Sequence, residues 1–151
     1  FFYRAHFALT DDPDKKLGCF ATGPVIRDYT QNLFCEAVGT FALVLPAFLM
    51  ASPSLSLDGT TPENASGPVL GLGAIGLLPV ALLVFAIGMS LGGPTGYAIN
   101  PARDLGPRIA HFLLPIPGKR DSDWQYAWVP VVGPVVGGIL AAVVYRLLVA
   151  S

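Results

Sequence analysis

Three long apolar runs divide the chain. Leu33–Ala51 carries a single charge, Glu36, and one proline, Pro46. Val69–Leu91 carries no charge over 23 residues, and Ala127–Ala150 has only Arg146, near its end, where a long side chain can snorkel to headgroups. A hydrocarbon core of about 30 Å needs about 20 helical residues. The pattern therefore predicts membrane-crossing helices over 31–51, 69–91 and 127–150. Polar stretches separate them. Residues 10–30 hold Asp11-Asp12-Pro13-Asp14, residues 52–68 are rich in Ser, Pro, Gly and Thr, and residues 115–126 contain Lys119-Arg120-Asp121. Residues 1–9 read as the end of a preceding helix.

A fourth apolar piece, residues 92–114, is interrupted. Gly92-Gly93-Pro94 breaks the run, and Thr95-Gly96 continues it without helix-favouring residues ahead of the Asn100 cap. Asn is a strong N-cap, and Pro101 suits the first helical turn, where an amide donor has no partner anyway. Extended backbone followed by a helix of roughly 10–14 residues is too short to span and fits a re-entrant segment. Irregular backbone at membrane depth is tolerated only when buried in protein or lining a watery cavity. Arg103 falls in the first turn, at the positive end of the helix dipole, where a cation is disfavoured. An ionisable residue at membrane depth that breaks a local rule points to function. Pro107 lies inside the short helix and removes one ladder bond.

Composition agrees with a membrane protein. Of 151 residues, 53% are hydrophobic and 13% charged, against about 25% charged in average soluble domains; mean hydropathy is +0.60. The net charge of −1 gives no support to a nucleic-acid partner. The chain opens on Phe1-Phe2-Tyr3 without an initiator Met or signal-peptide pattern, and reads as part of a longer protein. Cys19 and Cys35 have no metal-ligand spacing and read as free thiols, although a bond between them stays open. No cofactor motif is present, and no nucleophile–base pairing suggests an enzyme.

Asn100-Pro101-Ala102-Arg103 resembles the second Asn-Pro-Ala box of the aquaporin superfamily, the major intrinsic proteins. Asp104 after it resembles the glycerol-facilitator branch. Gln31-Asn32-Leu33-Phe34-Cys35-Glu36 is similar to the start of that family's fourth span, Leu78–Leu91 to the fifth, and Val129-Pro130-Val131-Val132-Gly133-Pro134 to the sixth. Asp11-Asp12-Pro13 through Thr22-Gly23-Pro24 is similar to its long outer loop. The likeness covers essentially the whole chain. It implies an all-α membrane protein: the C-terminal half of a six-helix bundle, with three transmembrane helices and one re-entrant half-helix. It makes 10–30 and 115–126 outer loops and 52–68 an inner one. The Lys/Arg count points the other way, because Lys15, Lys16 and Arg27 lie in the first loop and none in the second. The missing N-terminal half would hold the other box.

The resemblance also implies roles. Tyr97, Arg103, Gly88, Gly96 and Ala98 would form the pore wall and selectivity filter, and Asn100, Pro101 and Ala102 the box that aims a helix N-terminus at the bilayer centre. Glu36 would hold the re-entrant loop by accepting backbone amides, with Asp104 as further support. Backbone carbonyls of Gly96, Tyr97 and Ala98 would accept from hydroxyls, which both donate and accept. Water-selective members carry His where this chain has Gly88; glycine leaves a wider passage. Tyr97 stands where well-known glycerol facilitators have Phe. The implied activity is passive diffusion of glycerol, small polyols or urea, and water, through homotetramers in a multi-pass cell-membrane protein embedded in lipid. A water-selective channel and a secondary transporter are the alternatives. The latter needs an ionisable coupling group, and only Glu36 qualifies.

Other features have plainer readings. Gly71-Leu72-Gly73-Ala74-Ile75-Gly76 matches GxGxxG but lacks the strand before it and the acidic residue after it that a dinucleotide site needs. Gly133 and Gly137 fit close helix packing. Asn64-Ala65-Ser66 fits a glycosylation sequon in a loop that the resemblance places inside. His6 and His111 have no partners at metal or catalytic spacing and read as interfacial or loop histidines.

Overall fold

Short polar side chains start three of the helices. Asp12 accepts from the amides of Asp14 and Lys15, Asp28 from Gln31, and Asn100 from Ala102, each satisfying donors that the first turn would otherwise leave bare. The computed structural model describes residues 2–50, 54–56, 69–71 and 73–149. In chain order these form α1 (Arg4–Leu9), α2 (Pro13–Gly18), α3 (Tyr29–Leu49), β1 (Ser54–Ser56), β2 (Val69–Gly71), a 3₁₀ turn (Gly73–Leu77), α4 (Leu78–Leu91), α5 (Pro101–Leu113) and α6 (Val129–Val149). The β-strands pair antiparallel, Leu55 opposite Leu70. The rest of the 52–68 loop, with its sequon, lies outside the described residues.

The molecule is mostly helical, and two of its helices are long and apolar enough to cross a membrane. These are α3 and α6, each of 21 residues, or about 31 Å at 1.5 Å per residue. The helix expected over 69–91 is shorter than its apolar run. Its α-helical part begins at Leu78 and has 14 residues. Gly73 takes φ +55, a left-handed conformation open to glycine and costly to continue as helix. Pro79 then sits in the first turn, where it suits a helix start rather than an interior. The 10–30 loop likewise contains α2, begun by Asp12 and Pro13, and so is not loop throughout.

The main interface joins α3 to α6, with α5 against α6 and α4 against α3. Glycines set its closeness. A Cβ on Gly133 would lie 2.6 Å from Glu36 Cβ, and one on Gly137 would lie 2.2 Å from the Ala37 carbonyl oxygen. Gly137→Val in the full-length protein should therefore force α3 and α6 apart and destabilise it by about 1–3 kcal/mol or more. Gly138→Val, one residue on, meets nothing within 4 Å and should be tolerated. Thermal unfolding in detergent checks the pair; equal midpoints would refute the close-packing account.

Burial is inverted relative to a soluble domain. Arg108, Tyr126, His111, Glu36 and Asp104 are among the largest fully buried side chains, whereas Phe34, Phe85, Met89 and Leu147 are more than half exposed. Polar groups thus occupy the inside, and most of the apolar surface faces outward.

Candidate functional site

The segment between α4 and α5 has no regular structure, so its backbone polar groups need other partners. Glu36, buried on α3, supplies two. Its Oε1 accepts from the Ala98 amide at 3.0 Å and its Oε2 from the Ile99 amide at 2.7 Å. Tyr97 and Ile99 have φ of +42 and +43; for a β-branched residue this is a genuine outlier. Such conformations cost of order 1–3 kcal/mol each and persist only where the surroundings enforce them. Glu36 is one enforcer. Gly39 makes room for the Ile99 side chain, since a Cβ there would come within 2.9 Å of Ile99 Cγ2.

With these amides bound to Glu36, the carbonyls ahead of them face Arg103. Arg103 Nη1 donates to the carbonyls of Gly96 at 3.2 Å and Tyr97 at 2.9 Å. Its guanidinium carbon lies 4.4 Å from the Tyr97 ring centroid, a cation–π arrangement. The carbonyl bonds and the ring offset the unfavourable place of a cation at a helix N-terminus. The ring itself lies in a slot on α4. A Cβ on Gly88 would be 3.3 Å from it, and one on Gly92 would be 2.5 Å from Tyr97 Cδ1. Gly88, Gly96, Tyr97 and Arg103 therefore meet at one place.

Asn100, Pro101 and Ala102 open α5. Asn100 Oδ1 caps Ala102 at 2.9 Å, and its amide nitrogen makes no protein hydrogen bond among the described residues. A cavity of about 510 Å³ opens beside Asn100 and Pro101, between Thr40 and Val44 of α3 and Gly138 of α6.

Asp104 points away from this wall, into a buried cluster. Its carboxylate accepts from the Thr22 amide at 2.8 Å and the Thr22 hydroxyl at 2.7 Å, and pairs with Arg108 Nε and Nη2 at 2.7 and 2.8 Å. Arg108 also donates to the carbonyls of Ser122, Asp123 and Thr22. All five guanidinium N–H groups are thus used. Arg27 forks onto Asp123 at 3.1 and 2.6 Å, and these bonds raise its pKa above the ordinary arginine value. Tyr126 beneath it is buried, which pushes its hydroxyl up. The cluster reaches the wall through the 22–25 loop. The Val25 amide donates to the Pro94 carbonyl at 3.0 Å, and Thr22 lies against Gly96.

A family model described as major intrinsic protein matches residues 10–145. The chain belongs to this family. Among curated members, it is 51% identical over 144 residues to a protein of Thermotoga maritima named a probable glycerol uptake facilitator protein. That match covers 95% of this chain and 55% of the relative. It is 50% identical to a glycerol uptake facilitator protein of Bacillus subtilis, covering 95% of this chain and 47% of that one. The corresponding Streptococcus pneumoniae protein is 45% identical, with 96% and 55% covered. The chain spans about half the length of the curated relatives it matches. Channels of the major intrinsic protein family are membrane proteins, in keeping with α3 and α6.

Within this major intrinsic protein several site residues escaped the sequence reading. Arg108 is the chief one; its signal was the i, i+4 spacing from Asp104. Gly92 stands four residues after Gly88, on the same face of α4. Thr22 and Asp123 carry no local signal, because only the fold brings them to Arg108. His111 corrects an expectation. It is fully buried on α5, with Nδ1 2.8 Å from Ser122 Oγ, and is not a loop residue. Cys19 and Cys35 are both free.

Proposed function

We propose that this chain forms the C-terminal half of a passive channel for glycerol, other small uncharged solutes such as small polyols or urea, and water. The observation that carries the reading is the pairing of the Tyr97 ring with the Arg103 guanidinium above an α4 face bare of side chains at Gly88 and Gly92. A polyol has a carbon edge and a hydroxyl edge. The ring offers the first an apolar wall, and Arg103 offers the second its donors. The glycerol names of the relatives, of which this chain spans about half, support the same substrate. The N-terminus of α5, with Arg103, disfavours cations.

In this reading α3, α4 with its 3₁₀ turn, and α6 are three spans, and 92–114 is a re-entrant loop and half-helix. Glu36 and Asp104 support it, and Gly96 and Ala98 contribute backbone to the wall. The N-terminal half of a full-length subunit closes the pore, four subunits assemble in the lipid of a cell membrane, and the molecule is not an enzyme. Glu36 also weighs against a secondary transporter, because both its oxygens are committed to backbone amides.

Gly88→His in the full-length protein tests the glycerol assignment. The imidazole would press on the Tyr97 ring and occupy the passage. Glycerol flux should fall about tenfold, equivalent to about 1.4 kcal/mol in barrier height, with water flux nearly unchanged. Stopped-flow light scattering on proteoliposomes reads both. Equal losses, or none, would refute the assignment.

A further inference from the structure

A second cavity, of about 1490 Å³, lies among α1, α2 and residues 114–117, away from the wall that carries Arg103. Its charge is one-sided. Arg4, Lys15 and Lys16 line it together with His6, and among the described residues no Asp or Glu does, in a chain whose net charge is −1. Lys15 is at the rim, 3.8 Å from Asp12. Arg4 is exposed and has no partner among the described residues.

Lys16 is the informative residue. It is 4% exposed, and its ammonium donates to the Pro117 carbonyl at 2.5 Å. Among the described residues no carboxylate lies within ion-pair distance of it. A buried ammonium is costly unless it is paired and its donors are used. Here one acceptor serves three donors, and Lys16 is among the residues that line the cavity. An anion placed there would complete the site.

The remaining wall suits an amphiphile better than a free ion. Phe7 and Phe20 stack with centroids 5.8 Å apart, and both line the cavity beside Tyr3. Trp124 and Trp128, 42% and 43% exposed, lie in the loop layer between α5 and α6. Half-exposed tryptophans mark the headgroup level of a membrane. An ammonium and a guanidinium at that level can hold an anionic headgroup through charge-assisted hydrogen bonds.

We infer that this cavity binds an anionic phospholipid, with the phosphate at Lys16 and Arg4 and the glycerol and upper acyl carbons against Phe7 and Phe20. The inference rests on the membrane setting of the family and not on the pore reading.

The test uses the purified full-length protein in detergent, titrated with dioctanoyl phosphatidylglycerol, dioctanoyl phosphatidylcholine or inorganic phosphate. Native mass spectrometry counts retained lipid, and the unfolding midpoint follows occupancy. The wild type should prefer phosphatidylglycerol to phosphatidylcholine, and inorganic phosphate alone should not raise the midpoint. Lys16→Gln should weaken phosphatidylglycerol binding about fivefold, Lys16→Arg should retain it, and Arg146→Gln, at the far end of α6, should leave it unchanged. Arg4→Gln, on an exposed position, should also weaken binding and keeps the test decisive if Lys16→Gln fails to fold. Glycerol flux should persist in each folded variant. Equal binding of the two lipids would overturn the inference, as would Lys16 and Arg4 variants that bind like wild type, the result expected if the rest of the subunit fills the cavity. A midpoint shift from inorganic phosphate that matches phosphatidylglycerol would mark a free-anion site and overturn the lipid assignment.

Discussion

Arg108→Leu in the full-length protein should cost about 3–5 kcal/mol of stability, the usual consequence of removing one partner from a buried ion pair. Leucine would leave the Asp104 carboxylate with only the amide and hydroxyl of Thr22, and would strip a donor from each of the carbonyls of Ser122, Asp123 and Thr22. The damage should not stay local. Thr22 and Val25 back the segment that carries the Gly96 and Tyr97 carbonyls, so Arg103 should lose its fixed place and discrimination between glycerol and larger polyols should weaken. Arg108→Lys keeps the charge but cannot fork onto Asp104 while reaching three carbonyls, and should fall between the two. Unfolding midpoints in detergent, with a double-mutant cycle on Asp104→Asn, measure the coupling. An Arg108→Leu protein with wild-type stability would mean that the loops are held by something else.

Features tied to local spacing were legible in the sequence, and features tied to distant contacts were not. The Asn100 cap and Pro101 mark the start of α5 because both act within one turn. How much of the apolar run at 69–91 is α-helix could not be read, because hydropathy reports where a segment can lie and not how its backbone is coiled. Gly73 and Pro79 decide that, and α-helix begins only at Leu78. Asp104 could be singled out, but its contacts could not, since Thr22 lies 82 residues away in sequence. The stacking of Arg103 on Tyr97 also needs tertiary information, because it depends on a left-handed backbone at Tyr97 that no propensity favours. His111 shows the limit most sharply. A lone histidine near a polar loop reads as a loop or interfacial residue, yet helix phase carries it to the buried side of α5 with Arg108, three residues earlier.

That left-handed backbone leads to the second large effect, at Glu36. Two amides, from Ala98 and Ile99, end on its two oxygens, and the strained residues Tyr97 and Ile99 sit on either side of Ala98. Glu36→Gln is nearly the same size but replaces one acceptor oxygen with an NH₂ donor, so that one buried amide loses its partner and faces another donor. An orphaned buried donor costs about 1–3 kcal/mol, comparable to the order 1–3 kcal/mol stored at each strained residue. The balance that holds the segment should therefore tip, and residues 97–99 should relax toward ordinary backbone angles, turning the Gly96 and Tyr97 carbonyls away from Arg103. Glycerol and water flux should fall together, each by about tenfold, in contrast to the glycerol-specific loss expected of Gly88→His. Glu36→Asp, one methylene shorter, should reach at most one amide and behave alike. Stopped-flow measurements on proteoliposomes, normalised to folded protein, separate this from poor insertion. If Glu36→Gln kept both fluxes, the segment would hold its shape without the carboxylate, and the role of Glu36 would reduce to filling the space beside Gly133.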